Sequence, residues 1–168
     1  VIVCAYSDER WQQLCDAIDS VQDQDWPNRE IIIVIDHNPG LLAGIAARYP
    51  DVRTLANDGP RGLAGARNTG VRIAGGEIIA FLDDDASAGS DWLSRMMAHY
   101  RRDPSVMGFG GGVIPIWPDQ RPRWFPEEFN WVVGCSYKGQ PEKVAPVRNP
   151  IGCNMSFHRA VFDSIGGF

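Results

Sequence analysis

Residues 77–87 read EIIAFLDDDAS, an apolar run that ends in three consecutive carboxylates. The run follows Gly75-Gly76 and has the length of a buried strand. A carboxylate without a partner is unfavourable to bury, and three adjacent ones repel one another, so we expect Asp83, Asp84 and Asp85 at a solvated strand end that faces cations. In an open α/β sheet, ligands bind beyond the carboxyl ends of the strands, which makes this end a candidate binding site.

A hard divalent ion is the simplest cation for this position. Mg²⁺ and Mn²⁺ prefer oxygen ligands and often combine one or two carboxylates with substrate phosphates. A solvated acidic turn before a helix is the alternative, and an acidic cap explains Asp91 well. It does not explain three carboxylates directly after a buried strand, so the sequence predicts a Mn²⁺ or Mg²⁺ site here.

Length and charge limit the classes of protein. With 168 residues, of which 44% are apolar and 22% charged, the chain suits one globular domain. The formal net charge of −5 and the scattered basic residues argue against a nucleic-acid partner. No apolar stretch reaches the roughly 20 residues that a membrane span needs, so membrane association would require segments outside this chain.

Cysteine usage indicates a reducing compartment. The four cysteines show no metal-type spacing, and two of them fall in apolar patterns, which favours buried free thiols. We therefore expect a location in the cytoplasm or at the cytoplasmic face of a membrane.

Strand-like and helix-like segments alternate along the first part of the chain. Strands are predicted at 1–6, 30–35, 52–55 and 77–82, and helices at about 11–21, 41–49 and 63–74. This alternation predicts a mostly parallel, three-layer α/β fold. Beyond the carboxylates we expect a helix over 92–100 capped by Ser90 or Asp91, a strand-like run over 107–114, a short helix or strand over 130–135, and a last helix over 159–165.

Two further loops carry candidate binding groups. Gly62 opens a helix among small residues, so backbone N–H groups there are accessible to an anion, and Arg67 could pair with a phosphate or with a neighbouring carboxylate. Neither a Walker loop nor a Gly-x-Gly-x-x-Gly turn is present. Asp36, which closes the second strand, could accept a hydrogen bond from a ribose or a base, although an Asp in this position is equally often a turn former.

Together these motifs resemble family-2 glycosyltransferases with the GT-A fold, a Rossmann-like α/β/α fold that binds nucleoside diphosphate sugars. Residues 3–6 resemble the first nucleotide-contacting strand of that family, and 33–36 its base-binding aspartate strand. Residues 62–70 resemble its glycine-containing Ala-Arg-Asn segment, and 81–85 its Asp-x-Asp signature. The chain departs from the family pattern in two places, which bears on base identity and loop conformation. The usual Thr-Tyr-Asn of the first strand is Ala5-Tyr6-Ser7 here, and the usual Asp-Gly-Ser after the base-binding strand is His37-Asn38-Pro39.

The resemblance implies a role for each matching residue. Ala5, Tyr6, Asp36, Gly62, Arg67, Asp83 and Asp84 would contact the nucleotide. Asp36 would hold the base, Arg67 would serve the diphosphate, and Asp85 together with Asp83 would ligate Mn²⁺ or Mg²⁺. The sugar or acceptor end would be lined by Trp131, Asn149, Cys153 and Asn154.

The resemblance also implies a reaction, the inverting transfer of a sugar from a nucleoside diphosphate sugar, with UDP favoured. The acceptor would be a hydroxyl of a glycan, a lipid-linked sugar or another compound. Glu127 and Glu128 are the acidic candidates for the base within the chain. In the family, however, the base belongs to a Glu-Asp pair beyond the Gly-Gly-Phe motif, and no Glu-Asp dipeptide occurs here. We therefore expect a single domain truncated at its C-terminus, with a nucleotide-binding half at 1–104 and the start of an acceptor half at 105–168.

Several alternatives stay open at this point. An Asp-x-Asp-x-Ser pattern after an apolar strand also occurs in haloacid-dehalogenase-type phosphatases, where the first Asp is a nucleophile. That pattern would belong on the first strand, whereas two αβ units precede it here. A nucleotidyltransferase and a non-catalytic sugar-nucleotide-binding fragment are further alternatives. The aromatic residues of 115–126, including Trp117, could clamp a ligand or cover the edge of the sheet.

Overall fold

Six strands form one sheet in the computed structural model, which describes residues 1–168. The strands are β1 Ile2–Ala5, β2 Ile32–Ile35, β3 Arg53–Ala56, β4 Ile78–Asp83, β5 Gly108–Gly110 and β6 Asn154–His158. Their order is β3-β2-β1-β4-β6-β5. The first four strands are parallel, while β6 runs antiparallel to both β4 and β5. The sheet is therefore mostly parallel, as predicted.

Five α-helices cover the two faces of the sheet. They are α1 Trp11–Gln22, α2 Pro39–Arg48, α3 Leu63–Ile73, α4 Trp92–Arg102 and α5 Arg159–Ile165. Two 3-10 helices, Asp8–Arg10 and Glu127–Val133, are also present. No helix is long and apolar enough to span a membrane.

Alternation along the strands divides the core into two faces. On one face, Val3, Ile33 and Ile35 are buried with the apolar residues of α1 and α2, and Ala80 packs with Leu93 of α4. The opposite face belongs to α3 and α5, whose apolar side chains pack in a cluster that includes Ile2, Ile32, Val34 and Phe81. Because both faces of the central strands are covered, β2 consists entirely of buried β-branched residues. This arrangement confirms the three-layer prediction.

Three local predictions needed correction. Helix α2 begins at Pro39, two residues earlier than expected, because the Asn38 side chain caps it by accepting a hydrogen bond from Leu41 N–H at 3.0 Å. Asp91 stands at the start of α4 but does not cap it, and its carboxylate instead accepts a hydrogen bond from Arg95. The strand predicted over 107–114 is limited to β5, since the chain leaves the sheet after Gly110.

Candidate functional site

The predicted site residues meet at the carboxyl edge of the parallel strands. Ala5 pairs with Ile35, and Cys4 pairs with Asp83, so β1, β2 and β4 end at the same edge. Ala5 is buried and contributes its carbonyl, which accepts the N–H of Asp36 at 2.7 Å. Tyr6 is 59% exposed and leaves its ring open to solvent. The topology therefore brings Tyr6, Asp36 and the three carboxylates to one edge, as expected.

The three consecutive carboxylates occupy three different environments. The side chain of Asp83 is about one-third exposed, that of Asp84 is 6% exposed, and that of Asp85 is about half exposed. The buried Oδ2 atom of Asp84 has no hydrogen-bond partner. Only Asp83 and Asp85 therefore offer accessible carboxylate oxygens, which fits the pair expected to bind a metal. The structure has no group of three or more His, Cys, Asp or Glu side chains already arranged around a metal position.

Arg10 is a cation at this site that the sequence motifs did not reveal. Its Nη1 atom lies 3.0 Å from Oδ1 of Asp84 and 3.0 Å from Oδ2 of Asp85. The 3-10 helix after β1, which the Ser7 hydroxyl caps, carries Arg10 toward the end of β4. The one available signal was that Arg10 follows a strand expected to end at the same edge as the carboxylates.

Arg67 binds a carboxylate, one of the two partners predicted for it. Its Nη2 atom donates to Oδ1 of Asp83 at 3.2 Å and to the carbonyl of Gly152 at 3.1 Å. The guanidinium lies over the rings of Phe81 and Phe168, 5.6 and 5.3 Å from their centroids. Because only 11% of the Arg67 side chain is exposed, it is held rigidly and fixes the orientation of Asp83.

Burial and ion pairing act in opposite directions on these acids. Burial raises the pKa of Asp83, and the neighbouring Arg67 only partly offsets this rise. Burial likewise raises the pKa of Asp84 against the opposing hydrogen bond from Arg10. Both carboxylates thus ionise less readily than a free Asp in this structure, and an additional cation would favour their charged forms.

Asp36 is engaged in an internal network rather than free to receive a base. Its Oδ1 atom accepts from Asn57 Nδ2 at 2.6 Å and lies 2.8 Å from His37 Nδ1, while its Oδ2 atom accepts from Gly62 N–H at 2.9 Å. Burial alone would raise the pKa of Asp36, but these hydrogen bonds together hold it below its ordinary value. Asp36 therefore ties the end of β2 to the start of α3. This is the turn-forming alternative of the sequence analysis, and its contact with a base stays a prediction.

The loop before α3 is built differently from the predicted anion cradle. Gly62 has a φ of +116°, and its N–H already serves Asp36, so that N–H is not free for a ligand. A Cβ on Gly65 would lie 1.8 Å from the Pro60 carbonyl oxygen. The small residues here allow the loop to pack on the helix, and the carboxylate of Asp36 takes the place of an external anion.

Two residues of this network lay outside the predicted site. The amide of Asn57 is buried and fully used, since Nδ2 also donates to Pro60 and Oδ1 accepts from Gly59 N–H and Thr69 Oγ1. His37 is a non-glycine residue with a φ of +53°, a conformation that is uncommon outside turns and functional sites. The only feature of the sequence that could have drawn attention to His37 was the departure from the family pattern at 37–39.

The residues predicted at the sugar end behave differently from one another. The Asn154 Oδ1 atom accepts from Trp92 Nε1 at 2.8 Å, and Nδ2 donates to the Gly112 carbonyl at 3.0 Å, so this amide fastens α4 and a loop to β6. Cys153, just before β6, is half-buried, and burial raises its pKa to about 11. Asn149 and Trp131 are exposed, and no hydrogen bond or ion pair joins them to the carboxylates.

Glu127 and Glu128 lie in surface ion pairs. Glu127 is 3.4 Å from Arg121, and Glu128 is 3.2 Å from Lys138. A hydrogen bond from its own backbone N–H and the ammonium of Lys138 lower the pKa of Glu128, which makes it a weaker base. The structure therefore gives neither residue the environment of a general base.

The aromatic loop is partly core and partly exposed. Phe125 is buried, and its ring contacts those of Trp117, Trp124 and Phe129 at centroid distances of 5.4, 5.7 and 6.4 Å. Trp124 is 78% exposed. The buried Phe125 suits a loop that covers apolar surface, and the exposed Trp124 suits a loop that offers an aromatic face to a ligand, so both predictions for this loop stay open.

Curated proteins of similar sequence include glycosyltransferases. The chain is 36% identical over 171 residues to the glucosyl-dolichyl phosphate glucuronosyltransferase of Haloferax volcanii, in an alignment that covers all of this chain and 55% of that protein. It is 36% identical over 98 residues to the succinoglycan biosynthesis protein ExoO of Rhizobium meliloti, covering 57% of this chain and 28% of that protein. The chain thus spans about half, or less, of the length of these curated relatives.

Solved structures share the fold at lower identity. The mannosyltransferase PcManGT from Pyrobaculum calidifontis, in complex with GDP-Man and Mn²⁺, superposes with a TM-score of 0.65 at 23% identity over 99% of this chain and 46% of its own. Staphylococcus aureus TarS 1-349 in complex with UDP-GlcNAc gives 0.67 at 16% identity over 96% of this chain and 46% of its own. These matches confirm the GT-A fold. The model of glycosyl transferase family 2 matches residues 1–166, and the chain therefore belongs to that family.

Proposed function

We propose that this chain is the donor-binding part of a glycosyltransferase that moves a sugar from a nucleoside diphosphate sugar to an acceptor hydroxyl. The observation that carries the proposal is the convergence of Asp83 and Asp85, with accessible carboxylates, and exposed Tyr6 at one sheet edge beside the Asp36 network. Ligands of open α/β sheets bind at this edge. Family membership supports the same class of reaction.

Tyr6 and the Asp36 network suit the nucleoside end of the donor. The exposed Tyr6 ring offers an apolar face on which a base can stack. The side chain of Asn38 donates to the Tyr6 carbonyl at 3.1 Å, and the neighbouring His37 ring is oriented by its partner Asp36. We propose UDP as the nucleotide, because TarS of the same fold was solved with UDP-GlcNAc, although PcManGT was solved with GDP-Man.

Asp83 and Asp85 suit a divalent ion on the diphosphate side. Their oxygens are hard ligands, and the cluster has three carboxylates for two guanidinium partners, with the buried Oδ2 atom of Asp84 left without a hydrogen bond. Mn²⁺ or Mg²⁺ would be held by Asp85 with Asp83, and when bound it would neutralise negative charge on the departing diphosphate. Arg67 holds Asp83 in place for this purpose, so we propose it as a positioning residue.

On the acceptor side, we propose a hydroxyl group as the nucleophile. Direct attack by an acceptor hydroxyl would invert the anomeric centre, with a glycan or a lipid-linked sugar as the acceptor class. Because Glu127 and Glu128 are neutralised on the surface, we do not assign the base to either of them. The phosphatase alternative has no support, since its nucleophile would belong on the first strand and the carboxylates here follow β4.

Calorimetric titration with UDP tests the proposal. We expect UDP to bind more tightly with Mn²⁺ than without it, and Asp85→Ala to remove most of that difference while leaving the melting temperature unchanged. Asp91→Ala is the matched control, because it removes an exposed carboxylate paired only with Arg95. Equal affinity for UDP with and without Mn²⁺ contradicts metal dependence, and no binding in either condition contradicts the proposed function.

A further inference from the structure

Arg10 pairs with Asp85, one of the two carboxylates proposed to hold the metal. Its Nη1 atom is 3.0 Å from both Asp84 Oδ1 and Asp85 Oδ2. The side chain of Asp84 is only 6% exposed, so water cannot replace Arg10 as the partner of this carboxylate. That of Asp85 is 48% exposed and can exchange one cation for another. The two ion pairs of Arg10 therefore differ, one being fixed and the other open to competition.

The charges of the cluster are nearly balanced without a metal. Arg67 pairs with Asp83, and Arg10 with Asp84 and Asp85, so two guanidinium charges offset two of the three carboxylate charges. The remaining single negative charge attracts a divalent ion weakly. A bound diphosphate would add negative charge and further oxygen ligands at the same edge.

We infer that Arg10 is a positioning residue that holds Asp85 away from divalent metal until a nucleoside diphosphate is present. This inference rests on the proposed function. When the diphosphate binds at this edge, its negative charge draws Arg10 off Asp85, so the metal no longer has to displace Arg10, which keeps its ion pair with buried Asp84. Metal and nucleotide then bind cooperatively, and each raises the affinity for the other by the same factor.

The test is a titration of the protein with Mn²⁺ alone at low salt, in which electron paramagnetic resonance measures the concentration of free Mn²⁺. Arg10→Gln is expected to bind Mn²⁺ roughly five- to tenfold more tightly than the wild type, which is the scale of a partly exposed ion pair. Arg48→Gln makes the same change of charge at the end of α2, which runs back from this edge of the sheet, and is expected to match the wild type within about twofold. With UDP at saturation, Arg10→Gln and the wild type are expected to converge.

The outcomes separate the inference from the proposed function. If UDP binds the wild type with Mn²⁺ but Arg10→Gln takes up Mn²⁺ alone no better than the wild type, the inference is overturned and the proposed function stands. If UDP does not bind the wild type at all, the proposed function fails, and the inference with it. Should Arg10→Gln not fold, Arg10→Met takes its place, because it also removes the guanidinium from a side chain that is 42% exposed, and Mn²⁺ binding no tighter than that of the wild type again overturns the inference.

Discussion

Residues 1–104 and residues 105–168 are held together in different ways. The first region contains β1 to β4 and α1 to α4, and nearly all of the buried apolar side chains lie in it. In the second region only Phe125, Cys135 and Met155 are buried apolar residues, and regular structure is limited to two short strands, a 3-10 helix and the seven-residue α5. Within the second region, β6 and α5 join the sheet and its core, whereas the segment between β5 and β6 depends on a few polar contacts.

Those polar contacts centre on Asn130. Its Nδ2 atom donates to the Ser136 carbonyl at 2.8 Å, and its Oδ1 atom accepts from Arg121. Ser136 is in turn linked to Val113 by a pair of hydrogen bonds, both of 2.9 Å. In this segment between β5 and β6, side-chain hydrogen bonds hold the chain where backbone ladders hold the strands, and we expect the segment to open locally before the sheet does.

Truncating the core is expected to have the largest effect. Phe81 is fully buried in β4, and Phe81→Ala should lower the free energy of unfolding by about 3–5 kcal/mol through lost burial and a cavity. Trp124→Ala, at a 78% exposed ring in the second region, should change it by less than about 0.5 kcal/mol. Urea unfolding followed by circular dichroism measures both. Similar losses in the two variants would break the contrast between the regions.

The first region was predictable from sequence because its pattern is local. The β-branched run that forms β2 is buried along its whole length, and Leu14 and Ile18 recur at the helical spacing that faces the sheet. The location of Asp36 and Asp83 at one edge of the sheet followed from the rule that parallel strands end at a common edge. The type of each element was therefore predictable from residues close together in the sequence, and the position of the site from the order of strands and helices.

The contacts within the site were not predictable in the same way. Arg10 lies 74 residues from Asp84 in sequence, and nothing in an isolated Arg indicates which acid it meets. The amide of Asn154 was expected to face a sugar, but Trp92 and Gly112 use it. Such pairings depend on side-chain directions that only the packed fold determines.

Neutralising Asp36 is expected to have the next largest effect on stability. It tests whether the nucleotide side is preorganised by polar contacts as well as by its core. Asp36→Asn places an amide opposite the Gly62 N–H or the Asn57 amide, and should lower the free energy of unfolding at pH 7 by about 2–3 kcal/mol. The pKa of Asp36 is lowered in the folded state, so its contribution is present above the ordinary value of 3.8 and is lost as pH falls through the folded pKa. The deficit of the variant should therefore shrink in acid, and a deficit that is independent of pH would contradict this account.

Removing Asn130 should loosen the second region alone. Asn130→Ala removes the acceptor of Arg121 Nη2 and the donor to the Ser136 carbonyl, and we expect a loss of about 1–2 kcal/mol that is local. Hydrogen exchange should accelerate over 112–137 and stay unchanged in β1 to β4. Glu142→Ala, at an exposed position of the same region, is the control. Faster exchange in the central strands would show that the two regions are not independent.

Asp84→Asn is expected to have the smallest effect, and of opposite sign. Burial raises the pKa of Asp84, so the charged form is disfavoured in the folded state, and wild-type stability is lost as pH rises from about 3.8 through the raised pKa. The variant avoids this loss and should be as stable as the wild type at pH 7, or more stable by up to about 1 kcal/mol. The advantage should vanish toward pH 4. A destabilised variant at pH 7 would instead mean that the ion pair with Arg10 outweighs burial.

The most direct test of the donor site is a crystal structure of the chain grown with UDP and Mn²⁺, with an anomalous difference map for manganese. The account predicts an anomalous peak within coordination distance of the Asp85 carboxylate, diphosphate density on the same peak, and the base beside Tyr6 and the loop held by Asp36. Arg10 should remain on Asp84 and leave Asp85. A peak elsewhere, or nucleotide density away from the carboxyl edge of β1, β2 and β4, would contradict the central claim.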